Sequence, residues 1–124
     1  MSHLPTLFLI LDDEQSIRQS IASFLEDEGY TVFRAESSEE AIELVKKHPI
    51  DAAVVDIRLP GKDGNTFMLE ARKIRSAIKF VVHTGSADYT PPDAIKALGI
   101  TSDKVLIKPV SDLNIICKAF EDQL

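Results

Sequence analysis

Two adjacent carboxylates, Asp12 and Asp13, close the apolar run in LFLILDDEQS, and a third, Asp56, closes another in AAVVD. Like charges paired at the end of an apolar segment carry a cost, because they must stay hydrated or find a cation. Taken alone, the pair reads more simply as a solvated turn ahead of a helix, with Asp suited to an N-cap and Glu14 to a first turn. Two further groups change that balance: the hydroxyl of Thr84 in VVHTGS and the ammonium of Lys108 in VLIKPV, each also ending an apolar run. Three carboxylates brought to one place would repel strongly, and a divalent ion with oxygen ligands relieves the repulsion. Mg²⁺, at Mg–O distances of about 2.0–2.1 Å, suits two or three carboxylates with a backbone carbonyl and water. Without the ion, one of the carboxyl groups should hold its proton more tightly than usual. Asp56 is itself a candidate nucleophile, since a carboxylate can form an aspartyl-phosphate. A hydroxyl and an ammonium beside it would surround the dianion so formed.

Whether these groups meet depends on the elements between them. Strand-like runs alternate with helical periods along the chain, without repeat, low-complexity tract or linker. The expected strands are Leu7 to Leu11, Thr31 to Arg34, Ala52 to Val55, Phe80 to His83 and Lys104 to Ile107. Four are mostly apolar, as strands covered on both faces should be, while the polar TVFR suits an edge. Ile17, Ile21, Phe24 and Leu25 share one face of a helix from about Glu14 to Glu28, stopped at Gly29. Ser37 and Glu40 read as a capping box opening a helix that buries Ala41 and Val45 and stops before Pro49. A third face holds Phe67, Ala71, Ile74 and Ile78, and TPPDAIKALG gives a short fourth helix closed by Gly99. Ser111 is the expected cap of the last, with Leu113, Ile116, Cys117, Phe120 and Leu124 on one stripe. Right-handed crossovers put helices on both faces of a parallel sheet, an α/β three-layer sandwich whose ligands bind at the carboxyl ends of the strands. All five chemical groups fall at that edge.

Composition narrows the function classes. The 124 residues make one domain, 1–124, and leave no room for a second. A net charge of -6 argues against a general nucleic-acid or anionic-membrane surface. The single cysteine, Cys117, forms no internal disulfide, which fits a reducing compartment, and its helical stripe makes it a small core side chain. MSHLPT lacks a basic region and the apolar run after it is short, so neither signal peptide nor membrane span is expected, and the location expected is cytoplasmic. No glycine-rich phosphate loop follows the first strand, against a nucleotide-binding enzyme.

The strings LILDDE, VVDIRLPGKDG, VVHTGS and VLIKPV, in this order and spacing, resemble the receiver domains of bacterial two-component response regulators over nearly the whole chain. The resemblance implies a flavodoxin-like (βα)5 fold with strand order 2-1-3-4-5. It makes Asp56 the phosphoacceptor and places Mg²⁺ on Asp12, Asp13, Asp56 and the backbone carbonyl of Arg58. Thr84 becomes the switch hydroxyl, Lys108 the phosphoryl-binding cation, and the peptide before Pro109 cis. The implied partners are a sensor histidine kinase or phosphotransfer protein and an output protein or domain, with no direct nucleic acid and no membrane. A phosphorylation-dependent homodimer is a further expectation, as is either a stand-alone regulator or a receiver cut from a longer protein. Such a domain catalyses only its own phosphorylation and slow dephosphorylation. The alternative carried beside it is a receiver-like interaction module working without phosphorylation. A Mg²⁺-dependent phosphohydrolase using Asp56 would need a second acid/base carboxylate and a cap for which this length has no room.

Several positions depart from the family pattern or need a plainer reading. Val105 stands where many receivers carry an aromatic, so transmission from Thr84 would run through Tyr89 or be weaker. The fourth helix is short, and Arg58 and Ser86 flank the site where side chains can shield the hydrolytic water. His83 alternates away from Thr84, has no second His or Cys nearby and is assigned to packing. His3 and His48 are assigned nothing.

Overall fold

The computed structural model describes residues 7–121, with the side chain of residue 121 outside the description. Five parallel strands, β1 (Leu7–Leu11), β2 (Thr31–Ala35), β3 (Ala52–Val55), β4 (Lys79–Thr84) and β5 (Val105–Ile107), form one sheet in the order β2-β1-β3-β4-β5. Five helices connect and cover them: α1 (Gln15–Asp27), α2 (Ser38–Lys47), α3 (Gly64–Ile74), α4 (Asp93–Lys96) and α5 (Asn114–Glu121). This is the expected strand order, with polar β2 at one edge and β5 at the other.

The period-two alternation of the strands divides the core in two. Leu9 and Leu11 of β1, Ala53 and Val55 of β3, and Phe80 and Val82 of β4 meet Ala41, Ile42 and Val45 of α2 and Phe67, Met68 and Ala71 of α3. The intervening residues, Phe8, Ile10, Ala52, Val54 and Val81, meet Ile21, Ala22 and Leu25 of α1 and Ile116, Ala119 and Phe120 of α5. Each layer has an aromatic lock. Phe8 packs edge-on against Tyr30 at 4.9 Å and Phe120 at 5.2 Å, and Phe67 against Phe80 at 6.1 Å. A fully buried Phe contributes about 1.5–3 kcal/mol, so these rings hold both helical layers to the sheet.

Local chemistry sets the helix ends. Ser37 Oγ accepts the Glu40 N–H at 3.2 Å, while Glu40 reaches back to the Glu36 N–H at 3.3 Å, a capping box displaced by one residue. Asp63 Oδ1 caps α3 through the Thr66 N–H at 2.9 Å. Gly29, at φ 97°, leaves α1 in the left-handed region that side chains disfavour.

Three expectations are corrected. The last helix begins at Asn114, later than a Ser111 cap requires, because Asp112 Oδ1 takes the Asn114 N–H at 3.0 Å and forms the turn that precedes it. Leu124 of the expected stripe lies outside the described residues, and so does His3. Residues Ser102–Lys104 form a 3-10 turn, so β5 starts at Val105. The third helix stops at Ile74, leaving that side chain 38% exposed, and Ile78 is buried in the turn after it.

Candidate functional site

The sheet ladder runs on beyond the strand ends and carries the site residues with it. The Asp12 N–H donates to the Ala35 carbonyl at 3.2 Å, that of Asp56 to Leu11 at 2.9 Å, and that of Lys108 to Thr84 at 2.8 Å. The backbones of these three residues are therefore held by neighbouring strands, and their side chains leave the carboxyl edge from fixed origins. Asp12 and Asp56 are almost completely buried, at 2% and 5% exposure, whereas Asp13 faces solvent.

The three carboxylates converge, each offering an oxygen within 4.8 Å of the others. Lys108 stands among them: its Nζ lies 2.9 Å from Asp12 Oδ2, 3.3 Å from Asp56 Oδ2 and 3.3 Å from Glu14 Oε1. Burial pushes the Asp56 carboxyl above its ordinary range, the Lys108 charge pulls it back, and the neighbouring Asp12 charge pushes it up again, leaving it raised. Burial acts to lower the Lys108 pKa, but the hydrogen bond and charge of Asp12, followed by those of Asp56, outweigh it, and the ammonium is strengthened. A cluster of this kind, exposed on the Asp13 side and carrying a carboxyl that resists ionisation, fits a hard divalent cation with oxygen ligands.

The other expected residues take distinct places. Thr84 is fully buried and its Oγ1 accepts the Ser86 N–H at 3.2 Å, so the hydroxyl proton remains to be donated. The Arg58 side chain is exposed, while its backbone acts to lower the Asp56 pKa, the smallest of the influences on that carboxyl. The Lys108–Pro109 peptide is cis. Tyr89, half-buried beyond Ser86, donates its hydroxyl to Asn65 Oδ1 at 2.7 Å and so ties the loop after β4 to the first turn of α3.

Some contributors escaped the sequence reading. Glu14, read only as a first-turn acid, is the third partner of Lys108, 94 residues away in the chain. Arg18 Nη1 donates to the Asp12 carbonyl at 2.7 Å and fixes the acidic turn from α1. Ser38 donates to the carbonyl of Lys62 at 2.9 Å, holding the loop that follows Asp56. Gly64 is required by close approach. A Cβ there would collide with the Asp56 carbonyl oxygen and stand 2.9 Å from Val55 Cγ1 and 3.0 Å from Ile57 Cα. The DDE triplet was the available signal for Glu14, while the others depend on contacts that no local pattern records.

The model of the response regulator receiver domain matches residues 8–120. The chain belongs to that family. It is 36% identical over 110 residues to the regulatory protein VanR of Enterococcus faecium, covering 89% of this chain and 46% of that one. It spans less than half the length of the first curated relatives it matches. Among solved structures, chemotaxis protein CheY4 of Vibrio cholerae is similar at TM-score 0.79 and 27% identity, covering 96% of this chain and 98% of that one. A response regulator protein from Burkholderia pseudomallei, solved with a phosphorylated aspartic acid, a calcium ion and citrate, is similar at TM-score 0.79 and 26% identity, over 93% of this chain and 66% of that one. The fold and the family are thus those of a receiver domain of two-component signalling. No helix among the described residues is long and apolar enough to cross a membrane.

Proposed function

We propose that this receiver domain takes a phosphoryl group onto Asp56 from the phosphohistidine of a sensor histidine kinase or phosphotransfer protein, and that the change at Asp56 switches a protein-interaction surface. The observation that carries the reading is Lys108 bridging Asp12 and Asp56, one cation shared by the acidic pair and the acceptor. In the transfer, an Asp56 carboxylate oxygen attacks phosphorus in line, a P–O bond forms, the P–N bond to the donor imidazole breaks, and the imidazole leaves with the bonding pair. Lys108 holds the carboxylate through its ammonium at 3.3 Å, so the nucleophile is oriented before the donor arrives. Lys108 transfers its hydrogen bond from Asp56 to a phosphoryl oxygen, and Thr84 donates its hydroxyl proton to another while still accepting from Ser86. Asp12, Asp13 and Asp56 would hold Mg²⁺, with the Arg58 carbonyl as a further ligand. When bound, the ion would supply positive charge for the phosphoryl oxygens. The phosphorylated aspartate and calcium ion of the Burkholderia pseudomallei protein support both assignments.

Movement of Thr84 reaches the surface through Tyr89, since Val105 supplies no aromatic ring on β5 to follow the hydroxyl. The chain turns over no substrate beyond its own phosphorylation and dephosphorylation. A module working without phosphorylation is not favoured, because acceptor, acidic pair, hydroxyl and lysine stand together. The test is intact mass after incubation with acetyl phosphate or phosphoramidate and Mg²⁺. The expected result is an adduct of about 80 Da that requires Mg²⁺ and is absent from Asp56→Ala. A folded protein that gains no adduct under these conditions would overturn the reading.

A further inference from the structure

His83 is a buried titratable group that the phosphoryl chemistry does not use. Its ring is 4% exposed, and neither Nδ1 nor Nε2 has a hydrogen-bond partner among the described residues. Burial first, and then the charge of Lys108, hold it in the neutral form, which has one donor and one acceptor to satisfy. A buried pair left unmade disfavours the fold, and an aliphatic residue would fill the same strand position without that penalty.

The strand alternation turns His83 to the side of Val81, toward α1 and α5. There the apolar layer is incomplete. A cavity of about 230 Å³ is lined by His83, by Ile17 and Ile21 of α1, and by Val110 and Leu113 ahead of α5. Ser16 and Ser20, both exposed, stand at its rim. Lys108 and Pro109 complete the wall, but the lysine ammonium is engaged by Asp12, Asp56 and Glu14, so the space is apolar with one neutral imidazole. An enclosed apolar cavity of about 150 Å³ is enough for benzene, and this larger space differs in opening to solvent at the Ser16 and Ser20 rim.

We propose that the cavity between α1 and α5 binds a small uncharged aromatic molecule carrying one hydroxyl or ring N–H, its flat body against Ile17, Ile21 and Leu113 and its polar edge bonded to His83. The site adjoins the acidic cluster across Lys108 and does not depend on phosphorylation of Asp56. Its occupant would touch the stem of Lys108, giving the domain a chemical input beside the phosphoacceptor.

The test is NMR titration of the whole chain with phenol and, separately, with toluene, which has the same ring and no hydroxyl. Both probes should shift the amides of Ile17, Ile21 and residues 110–113. The ratio of phenol to toluene affinity should fall about five- to tenfold in His83→Leu and be retained in His83→Gln, which keeps a donor and an acceptor. Ser20→Leu, a change at an exposed helix position that leaves the fold intact, should obstruct the rim and weaken both probes at least about tenfold. Absence of localised shifts with either probe would mean a cavity that holds only water and would overturn the proposal. An unchanged ratio in His83→Leu would remove His83 from the site and overturn it equally.

Discussion

Asp51 and Asp56 bracket one four-residue strand, β3, and their carboxylates have opposite surroundings. Asp51, at the amino edge, accepts the Leu7 N–H on Oδ2 at 3.0 Å. Its own N–H donates to the Leu7 carbonyl at 2.9 Å, and its carbonyl accepts from the Lys79 N–H at 2.9 Å. The residue staples three strands, and its carboxylate takes one backbone donor. Asp56, at the carboxyl edge, is held by its backbone in the same way, yet its side chain faces Asp12, Asp13 and Lys108. A carboxylate tied to the backbone is a structural device. One directed at like charges that share a single cation carries a repulsion that a divalent ion would relieve, as expected of a functional site.

The sharpest way to break this contrast is to neutralise both residues. Asp56→Asn should abolish the phospho adduct entirely, whereas Asp51→Ala should phosphorylate normally and lose about 1–3 kcal/mol of stability with the Leu7 contact. The stability of Asp56→Asn should move the other way. Because the folded-state pKa of Asp56 is raised, the favourable contribution of its protonated form is fully present below the unfolded value and is lost as pH rises through the folded value. At neutral pH the ionised carboxylate is a net cost, so Asp56→Asn should melt higher than wild type by roughly 3–5 °C, on the order of 1 kcal/mol. The gap should close as pH falls through the folded pKa. Melting curves of both proteins from about pH 4 to about pH 8 decide the point, and a lower melting temperature for Asp56→Asn at neutral pH would erase the distinction between the two aspartates.

After the loss of the adduct, the largest effect on stability should come from Lys108→Gln. It removes the cation shared by Asp12, Asp56 and Glu14, raises the Asp56 pKa further and costs about 3–5 kcal/mol near neutral pH, as breaking a buried pair does. Added Mg²⁺ should restore part of the loss, measured by thermal denaturation with and without the ion. Equal losses in both conditions would argue against cation binding by these carboxylates. Gly64→Ala should follow, at about 1–3 kcal/mol, because the new methyl group displaces the Asp56 backbone. Slower adduct formation than in wild type should accompany it, and an unchanged rate would show that the strand end tolerates the shift.

The legibility of the molecule followed the range of its interactions. Strands and helices rest on periods of two and 3.6 residues, so the elements were legible, while the division of β1 into Leu9 and Leu11 on one layer and Phe8 and Ile10 on the other came with the structure. The carboxyl-edge groups were legible because a parallel sheet brings strand ends together whatever the loops do. Helix ends were less legible, since Ser111 and Asp112 both suit a cap by type, and the Asp112 side chain instead forms a turn that delays the helix to Asn114. The pairing of Glu14 with Lys108, the Gly64 contact with the Asp56 carbonyl and the unsatisfied ring of His83 arise across tens of residues and leave no local trace.

Tyr89 offers the smallest and most selective change. Its hydroxyl is held above its ordinary pKa by burial and then by the nearby Asp63 charge, so it stays protonated and donates to Asn65. Tyr89→Phe keeps the ring in the core layer formed with α3 and removes only that bond, at a cost of about 0.5–1.5 kcal/mol. Thr84, Ser86 and Tyr89 are linked in sequence by the Ser86 N–H to Thr84 Oγ1 and the Tyr89 N–H to the Ser86 carbonyl at 3.1 Å. Under the proposed function, a pull on the Thr84 hydroxyl toward a phosphoryl group would be passed along this chain to the Tyr89–Asn65 bond. If that bond restrains the loop in the unphosphorylated state, Tyr89→Phe should leave adduct formation on Asp56 intact while the amides of residues 86–91 shift toward their phosphorylated positions before any phosphoryl donor is added. NMR spectra of the variant and of wild type, each with and without acetyl phosphate and Mg²⁺, provide the comparison. A variant whose loop amides coincide with the unphosphorylated wild type, and which still moves fully on phosphorylation, would show that the hydroxyl bond stabilises the loop without restraining the switch.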